Sequence, residues 1–247
     1  MEYDSVDEFR QRAGYDIDGT WYPRVTSIVS IKTKPALLRY YGGMRSFKAA
    51  DDAKEASARE GTMVHEAVEA IMRGNHEYKP DPLIQPSVDA FSEFLRNTDV
   101  EPLLVEDRVV SREHGFAGTV DMVARVDGRV GILDIKTGKR IYRDYGMQTS
   151  AYVHAVSEMG VVPTPTTSWV LRLDQARTCE LCGVTLRTKG GTFRVSAGGK
   201  GCTHRWGLMT GQFELQELFE TQKNFTAFLA SKTLWEWEYE EYLKILK

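Results

Sequence analysis

Apolar residues along this chain recur with two periods, and the change from one to the other divides it. Gly61 to Arg73 (GTMVHEAVEAIMR) carries Val64, Ala67, Val68 and Ile71 at i, i+3, i+4 and i+7, the stripe of an amphipathic helix. Thr62 is placed to cap that helix, and Gly74 and Pro80 to end it. Phe47 to Arg59 is Ala-rich and charged, and predicts a helix of its own. Before it, Tyr22 to Tyr41 predicts a short extended piece, a helix capped by Thr26, and a second helix with Pro35 in its first turn. Gly42-Gly43 would break that second helix. Met1 to Thr20 is polar and poor in structural signals. After a Pro-containing loop, Ser87 to Arg96 predicts another amphipathic helix.

In the centre the period shortens to two. Leu103 to Val110, Phe116 to Val126 and Arg129 to Lys136 predict strands, and Asp127-Gly128 is a hairpin turn between the last two. Met147 to Met159 predicts a helix and Thr167 to Asp174 a strand. Leu181 to Arg194 predicts further β structure. Phe213 to Lys247 returns to helical spacing through Phe225, Phe228, Leu229, Trp235, Tyr239, Tyr242, Leu243 and Leu246. The order of elements predicts an α/β fold with a central mixed β-sheet flanked by helices, an N-terminal helical region and a C-terminal helix.

Composition changes this picture little. The chain has 247 residues, of which 42% are hydrophobic and 27% charged, as in ordinary globular domains. No apolar run approaches the ~18 residues of a membrane span. Met1 to Arg12 is too polar for a secretory leader, and three cysteines form an odd set. These features predict a cytoplasmic protein with no membrane association. The net charge of −3 excludes a uniformly basic binder but not a local basic groove.

Candidate chemistry gathers at the end of the predicted hairpin. Asp134 and Lys136 are two apart, so on a strand they share a face with Val130 and Ile132. The turn at Asp127-Gly128 brings Asp121 opposite the Asp134 region. Two converging carboxylates repel unless a cation sits between them, and hard oxygen ligands favour Mg²⁺ or Mn²⁺. A lysine beside such an ion can orient water or neutralise charge on a phosphoryl group. His65 lies on the helix face adjoining the apolar stripe, where a neutral imidazole would suit Mn²⁺ better than Mg²⁺.

In order, the chain reads His65, then Gly118-Thr119-Val120-Asp121, then Asp134-Ile135-Lys136-Thr137-Gly138, then Gln148 and, after three residues, Tyr152. This set resembles the PD-(D/E)XK nuclease superfamily, and within it the RecB-like exonuclease branch of phage and mitochondrial genome-maintenance type. WYPRVTSIVS and RYYGGMRS are similar to the lead-in of such members. The resemblance implies a restriction-endonuclease-like core in a single nuclease domain. A helical wall would cover about residues 20–100, the catalytic core 101–175, a zinc-ribbon-like hairpin 176–210 and a helical segment 211–247. It implies Asp121, Asp134 and Lys136 as catalytic residues. His65, Asp121, Asp134 and the backbone carbonyl of Ile135 would bind the metal, and on a helix beside the site Gln148 would orient substrate or Lys136 and Tyr152 would contact DNA. Glu66, Glu69 and Glu106 are nearby carboxylates left without a role.

Cys179-Glu-Leu-Cys182 is followed after 19 residues by Cys202-Thr-His204, with Gly183 just past the first pair. Two ligand pairs around a predicted hairpin, TLRTKGGTFRV, resemble a zinc ribbon or knuckle. Free thiols are the competing reading. A [4Fe–4S] cluster is disfavoured, because the iron–sulfur members of the superfamily need an early cysteine and none precedes Cys179.

Basic residues cluster at Lys136, Lys139, Arg140 and Arg143, where Lys139 and Arg140 are candidates for substrate binding. A second group is Arg172, Arg177, Arg187, Lys189, Arg194, Lys200 and Arg205. Either could follow a phosphate backbone; a solvated basic hairpin competes for the second. The reading favoured is a Mg²⁺- or Mn²⁺-dependent DNA exonuclease acting on single strands or duplex ends, in recombination, repair or phage DNA processing. A recombination or replication protein is the expected class of protein partner. The alternatives are a DNA-binding scaffold with vestigial or complex-dependent activity, a zinc-ribbon recognition protein, and a sequence- or structure-specific endonuclease.

Overall fold

The structure, a computed structural model, describes residues 3–32, 42 and 46–246. The expected helix from Pro35 through Tyr41 lies outside the described residues.

The polar N-terminus is more ordered than its composition implies. Helix α1 (Val6–Ala13) starts at Ser5, whose side chain accepts from the Glu8 amide, while the Asp4 amide donates to the Glu8 carboxylate. Serine followed three residues later by glutamate is a helix-start signal. Strands β1 (Gly14–Ile17) and β2 (Thr20–Pro23) form a small hairpin, and α2 (Val25–Ser30) follows. Its N-cap is Arg24, so Thr26 lies inside the helix instead of capping it. The two helices expected around Gly61 are one, α3 (Phe47–Met72), and Thr62 donates to Ala58 O in mid-helix instead of capping. A helix-interior glycine costs only about 1 kcal/mol relative to alanine, which long helix-favouring flanks outweigh.

After α4 (Gln85–Asn97) comes the sheet. Strands β3 (Val100–Ser111), β4 (Phe116–Val126) and β5 (Arg129–Lys136) form an antiparallel meander. Its second turn, Asp127-Gly128, has φ of 46° and 81°, the left-handed pair that hairpin turns require. Helix α5 (Tyr145–Met159) crosses over to β6 (Thr167–Cys179), which pairs parallel with β5. That makes β5 central and buried on both faces, which is why its sequence is almost continuously apolar up to Asp134.

Strands β7 (Thr185–Lys189) and β8 (Thr192–Val195) form the expected hairpin and join the sheet at Arg177 and Thr178 of β6. The main departure from expectation is β9 (Trp206–Leu218), which pairs antiparallel along β6. The helical segment expected from residue 211 therefore begins later, as α6 (Thr221–Glu238) and α7 (Glu240–Leu246). Phe213 and Leu215 alternate with Gln212, Glu214 and Gln216, and this period of two is a strand signal.

The sheet separates two apolar clusters. On one side α1, α2, α5 and α6 bury Phe9, Ile28, Ala151, Tyr152, Phe228 and Trp235 against Phe116, Val123 and Ile132. On the other, α3 and α4 bury Val64, Val68, Phe91 and Phe94 against Met122, Leu133, Ile135 and Leu171. The aromatic C-terminus belongs mainly to the first cluster: Trp235 stacks on Phe9, with ring centroids 5.7 Å apart. Among the described residues, no helix is long and apolar enough to cross a membrane.

Candidate active site

Three elements bring the first group of polar side chains together. The apolar stripe of α3 packs on the sheet, and this turns His65 toward β3 and β4. His65 Nδ1 lies 3.4 Å from Asp121 Oδ1 and 3.7 Å from Glu106 Oε1. The pairs Val105↔Met122 and Asp107↔Val120 flank Glu106, so the register sets it opposite Asp121. Glu106 has φ 50°, a left-handed conformation uncommon for residues other than glycine. One ligand atom from each of His65, Glu106 and Asp121 lies within 4.8 Å of the others.

Glu106 is one of the three carboxylates to which the sequence assigns no role. Its strand was recognisable, but its place opposite Asp121 depends on the β3–β4 register, which the 111–116 connection sets. No short motif marks it.

The second group sits deeper. The β4–β5 ladder ends at Met122↔Leu133, and beyond it Asp121 Oδ2 accepts from the Ile135 amide at 2.6 Å. Asp134, 1% exposed, directs its carboxylate toward α5. Its Oδ1 accepts from Gln148 Nε2 at 3.0 Å, and Oδ2 lies 2.6 Å from Lys136 Nζ. Asp134 therefore does not join His65, Glu106 and Asp121 in one ligand group within that span; the two sets lie on adjoining strands, coupled through Asp121 and the Ile135 amide. Gln148 Nε2 also lies 3.3 Å from Tyr152 OH, to which it donates. Tyr152 fits because Gly118 has no side chain: a Cβ there would stand 2.5 Å from Tyr152 Cε1. At 2% exposure the ring is packed within the protein, over Gly118 and beside Gln148. It supports Gln148, and Gln148 holds Asp134.

Tyr145, another residue with no motif to mark it, faces Lys136, whose Nζ lies 5.2 Å from the ring centroid. Such a contact favours the ammonium form. Lys139 and Arg140 are exposed on the loop after β5.

The electrostatics follow from burial and opposite charge. Burial disfavours the His65 imidazolium, but Asp121 and Glu106 outweigh it and raise its pKa to about 10. Burial raises Asp121, yet the charges of His65 and Lys136 hold it below the usual carboxylate range. Asp134 moves the other way, to about 6, because burial and the neighbouring Asp121 outweigh Lys136. Lys136 would be lowered by burial and is raised instead by Asp134 and Asp121. Three carboxyl groups thus face two bases in a pocket reached from solvent at His65, whose side chain is 28% exposed.

Arg172, Arg187 and Lys189 of the second basic cluster are engaged inside the protein, whereas Arg177, Lys200 and Arg205 are exposed. Arg187 and Arg172 both bind Asp174, at 2.6 Å and 3.1 Å, and Arg172 also binds Glu214. Arg187 and Lys189 donate to the Thr137 carbonyl at 2.8 Å and 2.6 Å. Arg205 pairs with Glu180. The β7–β8 hairpin therefore braces the turn that follows Lys136.

Cys179, Cys182, Cys202 and His204 also converge, each offering a ligand atom within 4.8 Å of the others. No curated protein matches the chain. A family model described as the PD-(D/E)XK nuclease superfamily matches residues 81–195, a span holding Glu106, Asp121, Asp134, Lys136, Gln148 and Tyr152. With a mixed sheet flanked by helices and a buried Asp-x-Lys pair at the end of its central strand, residues 81–195 form a PD-(D/E)XK nuclease superfamily domain.

Proposed function

We propose that the chain is a divalent-metal-dependent deoxyribonuclease of the RecB-like exonuclease type. The observation that carries this reading is the meeting of His65, Glu106 and Asp121, from three elements, beside the buried Asp134–Lys136 pair. Two carboxylates and an imidazole within 4.8 Å are a chemically suitable donor set for Mg²⁺ or, given the nitrogen ligand, Mn²⁺. His65, Glu106 and Asp121 would hold the ion, with the Ile135 carbonyl as a further ligand, and Asp134 would join them by turning one oxygen from Lys136 to the ion. When bound, such an ion polarises a phosphoryl oxygen and lowers the pKa of bound water.

The chain's own groups do the rest. Asp134 keeps Lys136 protonated, so its ammonium acts as a hydrogen-bond donor and point charge toward the phosphoryl oxygens, not as a base. Gln148 keeps Asp134 facing Lys136. Lys139 and Arg140, exposed beside the strand exit, suit contacts to the DNA backbone, which would make binding salt-dependent. Action on single strands or duplex ends, in recombination, repair or phage DNA processing, rests on the likeness of the His65 and Gln148–Tyr152 motifs to exonuclease members.

The test is incubation of 5′- and 3′-labelled single- and double-stranded DNA with Mg²⁺ and Mn²⁺ in turn. Stepwise release of nucleotides from one end, abolished by EDTA, is the expected result. Internal cuts would make the chain an endonuclease, and tight binding without cleavage would make it a binding module.

A further inference from the structure

The Cys179, Cys182, Cys202 and His204 cluster lies outside the nuclease chemistry, and its geometry is specific. Cys179 Sγ stands 3.9 Å from Cys202 Sγ, and Cys182 Sγ stands 3.4 Å from His204 Nδ1. Zinc bound at ~2.3 Å to sulfur and ~2.0 Å to nitrogen separates its tetrahedral ligands by about 3.5–3.8 Å. All three cysteines are free thiols, and 3.9 Å is nearly twice the ~2.05 Å of a disulfide.

The backbone is shaped to this centre. The Leu181 and Cys182 amides donate to the Cys179 sulfur and the His204 amide to Cys202, so each ligand pair is a turn folded around its first sulfur. Gly183, directly after Cys182, has φ 72°. Gly199 has φ 64°, and a Cβ there would lie 3.0 Å from both Cys182 Sγ and His204 Cε1. The space beside the four ligand atoms is therefore kept clear by a residue with no side chain.

The cluster ties together the two ends of a long insertion. Cys179 ends β6, and His204 leads into β9, where Cys179 pairs with Trp206. Between them runs the β7–β8 hairpin, followed by the glycine-rich stretch from Ser196 to Arg205, which forms no regular element. The hairpin reaches the nuclease site at two points. Arg187 and Lys189 hold the Thr137 carbonyl, one residue past Lys136. The Gly190 amide donates at 2.8 Å to Glu60, on the helix that carries His65.

We propose that Cys179, Cys182, Cys202 and His204 bind one Zn²⁺ ion as a structural centre, which fixes the β7–β8 hairpin against the Thr137 turn and Glu60. The ion is closed off by four protein ligands and takes no part in hydrolysis.

Metal content and exchange test this independently of any nuclease activity. Full-length protein purified under reducing conditions without chelator should contain one zinc per chain, and Asp134→Asn should keep it. Replacing zinc by cobalt should give thiolate-to-cobalt charge-transfer and tetrahedral d–d absorption. Cys182→Ser, at an exposed position, should lose both signals, whereas His204→Cys should retain metal. Removing zinc should speed hydrogen exchange in Thr185–Val195 and at Thr137 and Gly138, with β3 and β4 unchanged. Absence of stoichiometric zinc, iron and sulfide in its place, or metal content unaffected by Cys182→Ser would overturn the proposal.

Discussion

Glu106 shows how the site is assembled residue by residue. It stands at φ 50° opposite Asp121, between Val105 and Asp107, which pair with Met122 and Val120. An unfavourable backbone conformation costs on the order of 1–3 kcal/mol and persists only where its surroundings hold it. Here it brings a carboxylate to His65. Glu106→Gln keeps the shape and removes the charge, so divalent-metal affinity should fall about 10–100-fold, with thermal stability little changed. Isothermal titration with Mn²⁺ measures it; unchanged affinity would remove Glu106 from the ligand set. Asp121, Asp134 and Lys136 were legible because they fall in short motifs on one hairpin. Glu106 and Tyr145 were not, because each acquires its place only from a strand register or a helix docking that no local pattern encodes. Tyr152 was legible as a position but not in its contacts, since its burial depends on the absent side chain of Gly118.

At the scale of elements, the hairpin β4–β5 and the crossover through α5 place the site, and both could be read from alternation and turn residues. The strand β9 carries its alternation clearly only from Gln212 to Gln216, and the aromatic and acidic residues that run on into the helix hid it. Its presence matters: it covers the outer edge of β6 and leaves Arg172 and Arg187 to converge on Asp174. These ion pairs are largely buried, but Asp174 keeps Arg172 when Arg187 is removed, so the loss is that of charge-assisted hydrogen bonds, about 1.5–3 kcal/mol. Arg187→Ala should lower stability by about that amount in urea denaturation. It should also slow DNA cleavage, because the Thr137 carbonyl loses a donor. A variant as stable as wild type would mean the hairpin does not brace the Thr137 turn.

The molecule as a whole couples metal, proton and fold. In the metal-free protein His65 is held as an imidazolium with a pKa near 10, above the ordinary 6.5. Its pairing with Asp121 therefore contributes stability that is complete below pH 6.5 and is lost as pH rises through about 10. A metal ion needs the neutral imidazole, so it must displace that proton. Asp134, with a pKa of about 6, is already ionised in mildly alkaline solution. Metal binding at about pH 8 should therefore release about one proton, with affinity rising about tenfold per pH unit toward pH 10. Calorimetry in buffers of different ionisation enthalpy reads the proton count; none released would mean His65 is not a ligand.

The β7–β8 hairpin, the buried Asp-x-Lys pair and the helix bearing His65 meet at the exit of the central strand β5, so the decisive question is whether that site cuts DNA. Single-turnover degradation of labelled DNA in Mn²⁺ by wild type, Asp134→Ala and Lys136→Ala answers it most directly. Wild type should degrade the DNA, and each variant should be slower by at least about 10²–10³-fold while remaining folded. Degradation by either variant at the wild-type rate would contradict the assignment of the site.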